Sequence, residues 1–192
     1  MQKRRVVIVS PALADANNGN WLTARRWRAL LQAHCTVRIA TQWTAADADQ
    51  DDVMLALHAR RSADAVQAWH QLRGRHGLGL VLTGTDLYRD IAHDPRAQQS
   101  LALAGQLVVL QALAPRSVPE ALRGKTRVIF QSTGQRQTLP KTRRHLRVVM
   151  VGHLRDEKDP LTLMAAARCL RERQDIWIDH IGAAMDLSLI HI

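Results

Sequence analysis

The chain has 192 residues, 46% of them hydrophobic, which is enough for one domain or a little more. Its formal net charge is +10, and only Lys3, Lys125, Lys141 and Lys158 are lysines, so arginine supplies nearly all of the excess. No apolar run approaches the ~20 residues that span a bilayer, and the short run Val6 to Val9 leads into Asp15 and asparagines rather than a cleavage site, which argues against a signal peptide.

Cys35 and Cys169 stand alone, with no CxxC and no metal-ligand spacing, so no metal is expected and a reducing cytoplasm suits them; no cofactor is expected either. The arginines are scattered in pairs (Arg25-Arg26, Arg60-Arg61, Arg143-Arg144), and aromatics make up only 4%. A nucleic-acid binder gathers its charge on one face with aromatics for stacking. The expectation is therefore a solvated surface and no nucleic-acid or membrane partner, with a share of the charge free to serve an anionic substrate such as a phosphate.

In chain order, strands are expected at Arg5–Ser10, Thr36–Ala40, Asp52–His58, Leu78–Leu82, Gln106–Leu110, Arg127–Phe130, Leu146–Val151 and Ile176–His180. Near-continuous Val/Ile/Leu runs of this length suit strands covered on both faces, as in a parallel sheet. Between them, Asn20 can cap a helix carrying Trp27, Leu30, Leu31 and His34 on one side. Ser62 can cap a second, with Asp64 in its first turn and Ala65, Trp69 and Leu72 along one face. Asp159-Pro160 is the clearest helix start, a cap followed by proline at the first helical position. Alternating β and α segments imply an α/β fold.

The segment "STGQRQTLPKTRRH", residues 132–145, is polar, holds Gly134 and Pro140 and has no hydrophobic period, so it reads as a linker. The expected organisation is a complete Rossmann-like domain over 1–131, this linker, and the start of a second Rossmann-like domain over 146–192. About two strands and a helix fit into that second part, too little to bury both faces of a sheet. The expectation is a chain truncated within its second domain, with the origin of the final "AAMDLSLIHI" left open.

Ligands of open parallel sheets bind outside the carboxyl ends of the strands, and four such ends are unusually polar here. After the first strand, "PALADANNGNW" offers Gly19 for a tight turn and Asn20 with its neighbouring amides beside a helix N-terminus, suited to an anion or simply to a turn and cap. GxGxxG is absent, and "TVRIATQW" ends without the acidic residue that holds a ribose, so a dinucleotide site is not expected. The third strand ends at His58 with Arg60 and Arg61 following, a place for an acid, a base, a phosphate ligand or a hydrogen-bonded core histidine. The fourth ends in Thr83-Gly84-Thr85-Asp86, where Thr85 or Asp86 can cap a helix through Tyr88 and Ile91 as well as meet a ligand. In "VVMVGHLRDEKDP", Gly152 ends a strand, and His153, Arg155 and Lys158 follow in one loop. Glycine admits a ligand to the backbone there, and the cations can neutralise a diphosphate leaving group.

Two α/β units joined by a linker, with a strand, a glycine and a basic loop opening the second, resemble the GT-B glycosyltransferases of family-4 type. At the family's Gly-Arg-Leu plus lysine pattern the chain reads Gly152-His153-Leu154 and Lys158, with His153 in the arginine's place. "ALADANNGNWLTARRW", "ALHARRS", "LVLTGTDLYRDI", "QQSLALAGQLVVLQ", "RVIFQS" and "VGHLRDEKDPLT" extend the resemblance over most of the chain, to the selenosugar synthases of selenoneine biosynthesis. The resemblance implies transfer of a sugar from a UDP-sugar, UDP-N-acetylglucosamine first among them, to selenophosphate, with selenophosphate synthetase as a possible pathway partner. It implies Asp86 and His58 as catalytic residues. Gly19, Asn20, Thr83 and Thr85 would bind substrate from the first unit, and Gly152, His153, Arg155 and Lys158 from the second, the two sets facing across a cleft. An ordinary family-4 enzyme with a hydroxyl acceptor and a non-enzymatic basic α/β module are the alternatives.

Overall fold

In the computed structural model of the chain, residues 3–14, 18–138, 140–154 and 158–183 are described, and they divide into two units, 1–134 and 135–192. In the first unit, β1 (Arg5–Val9), β2 (Thr36–Ala40), β3 (Val53–Leu57), β4 (Leu78–Leu82), β5 (Gln106–Val109) and β6 (Thr126–Val128) form one sheet in the order β2-β1-β3-β4-β5-β6. Every neighbouring pair is parallel. The unit is thus a Rossmann-like parallel α/β fold, as the apolar runs imply.

The continuous apolar strands are explained by cover on both faces, since alternate side chains point to opposite sides. Val7, Val9, Met54, Ala56, Leu80, Leu82, Leu107 and Val109 share one core with Val66 and Trp69 of α2 (Ala63–Arg73). Ile8, Leu57, Val81 and Val108 share the other with Ala24 and Trp27 of α1 (Gly19–Leu31). After β4 a wide helical turn, Asp86–Asp90, runs into the short α3 (Ile91–His93) and then into α4 (Pro95–Leu103), whose Ala97 and Leu101 join the α2 side. Because the chain leaves β1 for β2 on one side and crosses to β3 on the other, the carboxyl edge between β1 and β3 is the topological switch point, where such sheets bind ligands.

Local chemistry moves several boundaries. The cap of α1 is Asn18, not Asn20: Asn18 is extended, and its carboxamide oxygen accepts from the Asn20 and Trp21 N–H groups at 3.0 and 3.2 Å. Ser62 occupies the cap position of α2 but donates its hydroxyl to the Leu57 carbonyl at 2.6 Å instead. β6 begins at Thr126 and ends at Val128, short of the expected Phe130. It is an edge strand paired only with β5, and Ile129 and Phe130 beyond it are 45% and 66% exposed. Helix α4 has the same Asp-Pro start as Asp159-Pro160: Asp94 Oδ1 accepts from the Ala97 N–H at 3.0 Å and Pro95 opens the helix. Its carboxyl end is held by the Lys125 ammonium, which donates to the carbonyls of Leu101 and Ala104 at 2.7 and 2.6 Å.

The second unit is a single parallel β-α-β turn of β7 (Leu146–Val151), α5 (Pro160–Cys169) and β8 (Ile176–Ile181). Asp159 caps α5 as expected, its carboxylate accepting from the Thr162 hydroxyl at 2.7 Å and from the Thr162 N–H at 3.4 Å. Val149, Val151, Trp177 and Ile181 stay 47–70% exposed. Among the described residues no helix is long and apolar enough to cross a membrane, and no group of His, Cys, Asp and Glu could hold a metal ion.

Candidate functional site

The turn after β3 is the most constrained place in the first unit. His58 has φ 73°, a left-handed conformation that a branched or bulky side chain adopts only when its surroundings enforce it. The enforcement is visible. The His58 N–H donates to the Val81 carbonyl at 2.9 Å, and Ser62 N–H returns to the His58 carbonyl at 3.1 Å. His58 Nδ1 accepts from the Arg61 N–H at 3.4 Å, so the proton of the neutral ring sits on Nε2, which faces the Thr85 hydroxyl at 3.3 Å. The ring is 3% exposed. Burial depresses its pKa, Arg61 and Arg60 add to that, and Asp86 and Asp90 oppose it, leaving the imidazole neutral near pH 7.

Asp86 is the second fixed point, with no exposed surface at all. Its Oδ1 accepts from the N–H groups of Thr83 and Gly84 at 3.0 and 2.9 Å, and its Oδ2 from the N–H of Ala59 at 2.9 Å. One carboxylate therefore ties the end of β4 to the end of β3. Gly84 at φ 146° lies where an L side chain is strained, and it lets the chain fold back over Asp86. Thr85 and Asp86 serve this clamp rather than capping the helical turn that follows, for which no side-chain cap bond forms. The structure thus gathers His58, Thr83, Thr85 and Asp86 in one cluster, with both ring nitrogens of the histidine and both carboxylate oxygens of the aspartate engaged by the protein.

Beside the cluster, at the switch point, lies an open cleft of about 690 Å³. Pro11 beyond β1, Thr41 to Thr44 beyond β2, Arg60, Arg61 and Ser62 beyond β3, and Asp94 and Arg96 at the start of α4 line it. Its β2 wall is anchored from behind. Trp43, 2% exposed, donates its indole N–H to Asp51 Oδ2 at 3.0 Å, and the Arg38 guanidinium grips the same carboxylate at 2.5 Å. Trp43 also leans on Trp69, ring centroids 5.0 Å apart, and Arg73 covers Trp69 at 4.9 Å while donating to the Asp51 carbonyl at 2.6 Å. This wall is invisible to spacing arguments because Trp43 lies 8 residues from Asp51 and 26 from Trp69, and the "TQW" ending of β2 reads in the sequence only as a strand end without a ribose-binding acid.

Gly19 and Asn20 form the first turn of α1, outside the residues that line the cleft. Asn20 gives its N–H to Asn18, and Gly19 its carbonyl to the Thr23 hydroxyl at 2.8 Å. Gly19 has φ outside the left-handed region and open space around it, so no local geometry demands glycine there.

In the second unit, Gly152 follows β7 at φ 149° and the aliphatic stem of Lys158 packs over it, Cε lying 3.5 Å from where a Cβ would be. The Gly152 carbonyl meets His180 Nε2 at 2.7 Å, and His153 Nδ1 accepts from the Ala183 N–H at 3.1 Å. A side chain at Gly182 would collide with the Gly152 carbonyl, so the ends of β7 and β8 meet backbone to backbone. Gly152, His153 and Lys158 are thus brought together at one strand end; Arg155 lies outside the described residues.

No protein-family model matches the sequence, and no curated protein matches it.

Proposed function

We propose that the chain belongs to a GT-B type glycosyltransferase that moves a sugar from a UDP-sugar, UDP-N-acetylglucosamine first among them, onto selenophosphate. The observation that carries the reading is the arginine-lined cleft at the switch point of the first unit, flanked by the clamped turn at His58 and Asp86. The motif resemblance supplies the identity of the substrates, and the cleft supplies a place for an anionic acceptor.

In the proposed reaction a selenium lone pair attacks the anomeric carbon, forming the carbon–selenium bond. The bond from that carbon to the diphosphate oxygen breaks, and UDP leaves with the electron pair; the phosphoryl group stays on selenium in this step. Selenium in selenophosphate carries negative charge already, so no proton has to be removed from the nucleophile. A hydroxyl acceptor would require a general base within hydrogen-bond reach. Both nitrogens of His58 are engaged, with the proton on the one that faces Thr85, and Asp86 spends its carboxylate on three backbone N–H groups. Their part in this scheme is to position the turns that face substrate. In the second unit the ammonium of Lys158, whose aliphatic stem packs over Gly152, would neutralise charge growing on the diphosphate.

The test is incubation of the protein with UDP-N-acetylglucosamine and selenophosphate, read by mass spectrometry. A selenium-containing sugar formed in step with UDP release is the expected result. UDP release with hydroxyl acceptors but none with selenophosphate would replace this reading with that of an ordinary family-4 enzyme.

A further inference from the structure

Arg60, Arg61 and Arg96 all reach the switch-point cleft, but their partners differ. Arg60 Nε stands 3.1 Å from Asp90 Oδ2 and 4.0 Å from Asp94 Oδ2, so its charge is already answered by carboxylates 6% and 26% exposed. Arg96 is bonded to Asp64, whose side chain is 89% exposed. The Arg61 guanidinium has no hydrogen-bond or ion-pair partner among the described residues. An unanswered cation in a formed cleft is the feature to explain.

We infer that the cleft is a site for a small tetrahedral oxyanion of the phosphate class, with Arg61 as its principal ligand and Arg96 as a second one. The mount of Arg61 is unusually rigid for a surface turn. His58, three residues before it, is held left-handed against its own steric preference. The Arg61 N–H is bonded to the His58 ring, and the intervening Ala59 N–H to Asp86. Strain of this kind persists where its surroundings over-determine it, and here its product is the fixed direction of the two arginines that follow. Arg60 is turned to buried Asp90, and Arg61 is left to the cleft. Removing a partner from a buried carboxylate is costly, so Arg60 stays with Asp90 when an anion arrives. The Arg96–Asp64 pair is exposed and solvent-screened, so Arg96 can exchange Asp64 for an incoming oxyanion at little cost. Two guanidiniums approaching one tetrahedral anion as forks is the arrangement arginine favours.

The inference deepens the acceptor side of the proposed reaction and rests on that reading only for the biological identity of the anion. Its test needs no sugar donor. Titration calorimetry of inorganic phosphate into the 192-residue chain, at low ionic strength in a phosphate-free buffer, is expected to show one saturable site. Arg61→Ala should weaken it about tenfold or more, the worth of a charge-assisted hydrogen bond, and Arg61→Lys by less. Arg28→Ala, on the exposed side of α1, should leave it unchanged. Melting temperature separates ligand from scaffold: Arg61→Ala should melt with the wild type, whereas Arg60→Ala, which takes the cation from buried Asp90 Oδ2 and leaves Arg89 on Oδ1 alone, should melt lower. Absent or non-saturable phosphate binding, or binding undiminished in Arg61→Ala, overturns the site. UDP displacing phosphate from the cleft overturns its assignment to a small anion. An Arg61-dependent phosphate site in a protein that transfers no sugar would remove the proposed function and leave this inference standing. Sugar transfer with an unchanged KM for selenophosphate in Arg61→Ala would do the reverse.

Discussion

The carboxylate of Asp86 reaches across from the end of β4 to the backbone N–H of Ala59, 2.9 Å away, just past the end of β3. This one bond couples the two strand ends on which the cleft-side turns are built, and the other oxygen holds Thr83 and Gly84 in place. A residue in a polar strand ending thereby becomes the fastening of two loops.

The fastening predicts a graded response to substitution. Asp86→Ala leaves three backbone N–H groups without an acceptor in a site with no exposure, and is expected to cost about 3 kcal/mol or more in urea unfolding. Asp86→Asn keeps one acceptor oxygen but sets an amide N–H against one of the donors, and about 1–3 kcal/mol is expected. An Asn variant as stable as the wild type would show that the second oxygen and the charge of Asp86, and with them the tie to Ala59, contribute nothing.

His58 should make stability depend on pH. Its folded pKa is depressed, chiefly by burial, so the unfolded chain takes up a proton near its ordinary value of about 6.5 while the folded chain resists. Its contribution is complete above that pH and is lost as pH falls through it. Melting temperatures between pH 8 and pH 5 (roughly the histidine range) should therefore decline on the acid side. His58→Asn, which tolerates positive φ better than most non-glycine substitutions, should flatten that decline.

A second acid-sensitive link lies at the start of the sheet. The Arg5 guanidinium and backbone N–H both bond Asp52 and hold its carboxyl at about 2, below the 3.8 of a free aspartate. A depressed carboxylate stabilises above its unfolded pKa and loses that contribution as pH falls toward the folded one, here from about 4 to about 2. NMR titration of the Asp52 carboxyl should give the low value, and Arg5→Met should return it toward the free one.

Lys125 tests the packing of α4 independently of the cleft. Its ammonium satisfies carbonyls of Leu101, Ala102 and Ala104 at the helix's carboxyl end, where cations are favoured. Lys125→Met should cost about 1–3 kcal/mol in denaturant unfolding while leaving phosphate binding intact. A neutral effect on stability would mean that water replaces the ammonium without loss.

The strands were legible because both faces of the sheet are covered. Burial of Val6 to Val9 and of Leu78 to Leu82 on two sides demands continuous apolar runs, and these are readable in any sequence. β6 was misplaced because an edge strand pairs on one side only, so its end is set by the reach of β5 and not by its own apolar content. Helix α4 carries the same Asp-Pro signature at Asp94-Pro95 that marks α5, and that signal could have been used. The polar strand ends at His58 and Thr83 to Asp86 were readable as unusual, and they do converge. What they do was not readable: the engagement of Asp86 by Ala59, or of Asp51 by Trp43 and Arg38, depends on contacts between distant residues that no local spacing encodes.

The proposed reaction forms a carbon–selenium bond between the donor's anomeric carbon and selenophosphate, and selenium NMR tests that proposal most directly. With UDP-N-acetylglucosamine carbon-labelled at the anomeric position, the protein should produce a selenium resonance split by one-bond coupling to that carbon. Label recovered only in free sugar, in unreacted donor or in an oxygen-linked product would contradict it.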